Sequence, residues 1–150
     1  MSDYRMSHQP DTAEDAIRFH ELDRAMPDFY DQPDEYVWDL GKPEHMSLQF
    51  RGHTQAIRQA MRARGNPFAR VKVFRAVPKG VTSINQGDWV TTSEQYARGH
   101  AMQSDDPTED MDVLSMNARA KDITFGGNDA FEFGYVGRNR RGRLLRRFDQ

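Results

Sequence analysis

Asn85-Gln86-Gly87-Asp88-Trp89-Val90-Thr91-Thr92-Ser93-Glu94-Gln95-Tyr96-Ala97 runs from turn residues, through a β-branched and aromatic stretch, into residues suited to the first turn of a helix. Strand side chains alternate, so Trp89, Thr91 and Ser93 share one face and Val90 and Thr92 the other. Thr92 with Gln95, and Thr91 with Glu94, both have capping-box spacing. Two readings stay open. In one the segment is a strand, a cap and a helix. In the other the hydroxyls stand beside a helix N-terminus to receive a ribose or phosphate.

Upstream, Arg70 to Val77 has a period of two, with Val71, Val73, Arg75 and Val77 on one face and Lys72, Phe74 and Ala76 on the other. Arg75 therefore interrupts an apolar row. A guanidinium there requires a carboxylate of the chain or an anionic ligand. Leu48 to Arg64 predicts a helix with Ala56, Ile57, Ala60 and Met61 inward and Arg51, Arg58, Arg62 and Arg64 outward, ended by Gly65-Asn66-Pro67. Ala13 to Met26 predicts another, with Phe19, Leu22 and Met26 on one stripe, Ala16, Ile17, His20 and Arg24 on a second, and a stop at Pro27. Between them, Phe29, Tyr30, Tyr36 and Trp38 predict an irregular segment pinned to the domain, and residues 1–12 a poorly ordered lead-in.

Downstream, the helix that ends this stretch is expected to reach about Met102, residues 103–110 to form a charged mobile loop, and Met111 to Ala118 to form a strand. In Phe125-Gly126-Gly127-Asn128-Asp129-Ala130-Phe131-Glu132-Phe133-Gly134-Tyr135-Val136 a loop leads into a strand whose Phe131, Phe133 and Tyr135 share a face. Glu132 falls on the opposite face, directly after the loop.

At 150 residues the chain fits one domain large enough to bury a core without disulfides or metal. It has no cysteine, which removes disulfides, thiolate metal sites and cysteine nucleophiles. The five histidines show no paired metal-binding spacing. No apolar run approaches membrane-spanning length and no signal-peptide core is present, so a cytoplasmic protein with no membrane partner is expected. The net charge of −2 conceals polarity: residues 1–45 hold 12 acids and 4 bases, residues 46–104 hold 9 bases and 2 acids, and residues 138–147 hold six arginines. Internal pairing, solvated faces and a charged partner all produce such asymmetry.

Arg75, the Thr91-Thr92-Ser93 strand end and Glu132 occur in that order, and the pattern resembles the Arg–Ser–Glu, cholera-toxin-like class of mono-ADP-ribosyltransferases. Val73-Phe74-Arg75-Ala76-Val77-Pro78-Lys79-Gly80, Gly87-Asp88-Trp89-Val90-Thr91-Thr92-Ser93 and Glu132-Phe133-Gly134-Tyr135 also resemble ADP-ribosyltransferase-like domains of phage and prophage proteins. The resemblance covers residues 70–137 strongly and the N-terminal half weakly. It implies an α+β fold, a split antiparallel β-sandwich with N-terminal helices and an NAD cleft, in one domain. Residues 13–69 would be its helical part, 70–137 its NAD-binding core and 138–150 an Arg-rich tail, which follows the last motif without apolar periodicity and is therefore expected to dock a partner. Arg75 would hold a phosphate or ribose of NAD, with Thr91, Thr92 and Ser93 beside it. Glu132 would be the catalytic carboxylate, supported by Thr91 and Ser93, and no metal would be required.

The activity implied is transfer of ADP-ribose from NAD to a host macromolecule, a protein rather than a nucleic acid, in host takeover or counter-defence. NAD glycohydrolysis and a non-catalytic partner-binding role on the same fold are the alternatives. Two positions depart from the family pattern. Thr91 stands where Ser is usual, keeping the donor and adding a methyl. Ala130 stands two before Glu132, where arginine-modifying members carry a second Glu and several others a Gln, which leaves the acceptor open.

Overall fold

The computed structural model describes residues 10, 12–33, 46–102, 106–126 and 132–146, the side chains of 46–53 and 107 excepted. The expectations for residues 1–9, Tyr36, Trp38, Ala130 and Phe131 lie outside these residues.

The architecture is α+β with antiparallel sheets. In chain order a 3-10 helix at Phe19–Arg24 is followed by α1 (Met46–Ala63), β1 (Arg70–Val77), β2 (Ser83–Ile84), β3 (Trp89–Val90) and α2 (Glu94–Ala101). Then come β4 (Asp112–Arg119), β5 (Ile123–Phe125), β6 (Phe133–Tyr135), β7 (Arg140–Arg141) and β8 (Arg143–Leu145). One sheet has the order β1-β4-β8, a second β3-β6-β5, and β2 pairs with β7. No helix among the described residues is long and apolar enough to cross a membrane.

β1 and β4 pair over their whole length, from Arg70 opposite Arg119 to Val77 opposite Asp112. Val71, Val73 and Val77 enter the main core with Leu114, Met116, Phe133 and Tyr135. Phe74 and Ala76, on the other face of β1, pack against Ala97 and Ala101 of α2. The second half of β1 is therefore buried on both sides, and each fully buried large side chain contributes roughly 1.5–3 kcal/mol.

The outer edge of β1 has backbone groups to satisfy, and two neighbours meet them. Gln59 of α1 donates from Nε2 to the Lys72 carbonyl at 2.6 Å and accepts the Lys72 amide at 3.1 Å. Beyond it, Phe74 and Thr91 exchange backbone bonds of 2.7 and 2.9 Å. That bridge joins the two sheets. It also explains a departure from the expected helix face: Gln59 is buried whereas Met61 is 40% exposed, because the amide and not the thioether completes the strand edge.

Two further expectations are corrected. Ala13 to Met26 is not an α-helix; Arg18 forms a β-bridge with Thr124, the Phe125 amide donates to the Ile17 carbonyl, and Glu21 has non-helical torsions (φ −135°, ψ 41°). The β5 edge claims this backbone, while Phe19, Leu22 and Met26 still reach the core. The Arg-rich segment is not merely a tail, because Arg143–Leu145 extends the first sheet beside β4.

Candidate active site

The turn before β3 sets the site. Gly87 takes φ +93°, a conformation that side-chain-bearing residues rarely adopt, and the Asn85 amide donates to Asp88 Oδ2 at 2.8 Å. Asp88 is thereby presented to Arg75, whose Nε lies 3.5 Å from the same Oδ2. Arg75 Nη1 also donates to the Trp89 carbonyl at 2.9 Å. The guanidinium on this strand is thus tied to the carboxylate that directly follows the turn and to the backbone of β3.

The three hydroxyls separate. Ser93 is the N-cap of α2, accepting the Tyr96 amide at 3.1 Å, and Gln55 Oε1 accepts the Glu94 amide at 2.8 Å. The cap is Ser93, not Thr91 or Thr92, and two amides of this helix start are bonded within the chain. Thr92 is fully buried, and its hydroxyl has no hydrogen-bond partner among the described residues. Thr91 accepts the Ser93 amide at 3.2 Å and alone of the three lines a cleft.

Glu132 immediately precedes β6. Trp89 pairs with Gly134 and Val90 with Phe133, so one further step of the register sets Thr91 opposite Glu132. The Tyr96 hydroxyl donates to Glu132 Oε1 at 2.7 Å. Gly126 makes room for this approach, since a Cβ on it would lie 2.8 Å from Trp89 Cζ3 and 2.9 Å from the Glu132 carbonyl oxygen.

Arg75, Thr91 and Glu132 consequently line one cleft, half open to solvent, together with Phe74, Trp89, Tyr96 and His100. Only about 20 Å³ of it admits a water-sized sphere, far below the roughly 300–1,000 Å³ of small-molecule sites. Thr92 and Ser93, predicted to contact the cofactor, are not among its walls. Tyr96 and His100 are, with ring centroids 4.6 Å apart at four-residue spacing on α2. Sequence reasoning missed both, and the signal was their spacing immediately after the strand end. Among the described residues no group of three His, Asp or Glu is placed to hold a metal ion.

No protein-family model matches this chain. No curated protein and no solved structure matches it either.

Proposed function

We propose that the chain is a mono-ADP-ribosyltransferase of the Arg–Ser–Glu type that transfers ADP-ribose from NAD to a host macromolecule in the cytoplasm. The two antiparallel sheets joined by the Phe74–Thr91 bridge would be the halves of the split sandwich, with the cleft at their junction. The observation that carries the reading is the convergence of Arg75, Thr91 and Glu132, far apart in sequence, on that cleft.

Breaking the bond between the ribose and the nicotinamide nitrogen sends the electron pair out with nicotinamide and leaves positive charge on the sugar. A carboxylate fixed nearby opposes that charge. Glu132 is so fixed by Tyr96. An acceptor nucleophile then bonds to the sugar carbon and loses its proton. Arg75, oriented by Asp88 and the Trp89 carbonyl, supplies a planar donor suited to phosphate or ribose oxygens.

A second reading, an inactive partner-binding domain, is favoured by one observation. Arg75 already has an acidic partner in Asp88, which meets the requirement of a half-buried guanidinium without any ligand.

Incubation with NAD labelled in its adenylate part, in host lysate, distinguishes the outcomes. Nicotinamide release with label on a macromolecule supports the transferase. Release without transfer indicates a glycohydrolase, and absence of both release and NAD binding indicates the second reading.

A further inference from the structure

At the end of β1 away from the cleft, the sheet carries an arrangement that costs stability. Arg70 and Arg119 are direct cross-strand partners, and both are exposed. Like charges directly opposite one another are destabilising. Lys72, two residues along the same face, is exposed as well. Arg24 with Glu21, Arg75 with Asp88 and Arg98 with Glu94 form ion pairs, and none of them involves Arg70, Lys72 or Arg119.

The positive surface continues onto the C-terminal segment. Arg140 Nη1 donates to the carbonyl of Asn117, the cross-strand partner of Lys72, at 2.7 Å. Arg119, Arg138 and Arg140 line a solvent-open cavity of about 400 Å³ in which Asp122 is the one acid among the lining residues. Beside it Phe68 is 61% exposed, with the Arg119 guanidinium 5.6 Å and Lys121 Nζ 5.7 Å from its ring centroid. A large exposed aromatic ring flanked by two cations, beside a cavity lined by three arginines and one acid, combines a stacking platform with phosphate neutralisation.

We propose that this face docks a single-stranded nucleic acid, its phosphates on Arg70, Lys72, Arg119 and the Arg138–Arg140 cavity and one base on Phe68. An unpaired strand fits better than a duplex, because the ring can receive only a base free of its stack. Lys72 Nζ lies 5.8 Å from the ring centroid of Phe74, which lines the cleft, so the surface reaches toward the candidate active site. Binding here stands independently of NAD chemistry.

The test is fluorescence anisotropy of the full chain with labelled DNA and RNA oligonucleotides of about twelve nucleotides and a labelled poly-glutamate of similar length, between roughly 50 and 200 mM salt. No NAD is added, so failure here leaves the catalytic reading untouched. The oligonucleotide affinity is expected to fall with salt, with a log–log slope of about −0.7 per phosphate contact. Arg119→Ala should flatten that slope by about one contact. Phe68→Ala should weaken binding roughly tenfold at every salt concentration without changing the slope. Arg70→Ala should flatten the slope while melting at or above the wild-type temperature, since it removes a like-charge pair; this separates lost contacts from lost folding. The DNA and RNA arms distinguish the two sources of the same phosphate chemistry. Poly-glutamate binding as tight as the oligonucleotides, with Phe68→Ala inert, would overturn the proposal in favour of an acidic protein. Absence of salt-dependent oligonucleotide binding would overturn it outright.

Discussion

The hydroxyl of Tyr96 donates a 2.7 Å hydrogen bond to the carboxylate of Glu132, joining the helix that follows one motif to the residue that opens another. A hydrogen bond to a charged group contributes roughly 1.5–3 kcal/mol. Tyr96→Phe keeps the ring against His100 and removes this bond. Nicotinamide release is expected to fall about ten- to a hundredfold in kcat, with KM for NAD and the melting temperature little changed. Steady-state kinetics and a thermal melt check this. Loss confined to the melting temperature would make the bond structural.

Arg75→Lys retains charge but cannot reproduce the planar fork that reaches both Asp88 and the Trp89 carbonyl. Most NAD affinity should disappear. Calorimetric titration is the measurement, and wild-type affinity in the variant would assign Arg75 to its partner Asp88 alone.

Gly126 is small because Trp89 and the Glu132 backbone leave no space beside it. Gly126→Ala forces a backbone oxygen or the indole to shift, at a cost of roughly 1–3 kcal/mol typical of overpacking. Chemical denaturation should show that loss, and nicotinamide release should drop further than stability explains, since both displaced groups bound the cleft. An unchanged protein would mean that the neighbours yield easily.

Two tyrosines make stability pH-dependent at the alkaline end. Burial pushes the hydroxyls of Tyr30 and Tyr135 above the ordinary tyrosine value of about 10. The unfolded chain therefore loses these protons first, so the stability they contribute is full below about pH 10 and declines as pH rises through the folded values. Glu21 acts at the opposite limit. Burial pushes its carboxyl up, but the Arg18 amide and Arg24 guanidinium outweigh it and hold it below the ordinary value. Its contribution is present above the ordinary carboxylate range and is lost as pH falls. Tyr135→Phe should blunt the alkaline decline in melting temperature, and Glu21→Gln the acidic one.

The strands with strong alternation were legible in the sequence. β1 occupies Arg70–Val77 as its period of two predicts, and β4 lies one residue beyond the expected Met111–Ala118. The antiparallel α+β class follows from such segments. β5 was not legible, because Ile123–Phe125 is three residues long and gains its partners only from β6 and the Ile17–Arg18 backbone. The same tertiary pairing turned the expected first helix into a 3-10 segment. Arg75, Thr91 and Glu132 were singled out from residue type and order, and they line one cleft. Asp88 was not, because its role depends on a turn that bends it back to Arg75, and neither Tyr96 nor Gln55 announces its bonding from a single sequence position.

Glu132→Gln tests the catalytic reading most directly. Gln is nearly isosteric and can still meet Tyr96, but it brings no negative charge to the ribose from which nicotinamide departs. The measurement is nicotinamide production by wild type and variant at matched concentration, with melts in the presence of NAD to verify folding and binding. The expected result is a fall of about 10²–10³ in rate, the loss typical of one preorganised electrostatic partner, with melts unchanged. A variant that keeps most of the wild-type rate would contradict the role given to Glu132, and no turnover by either protein would contradict the enzyme itself.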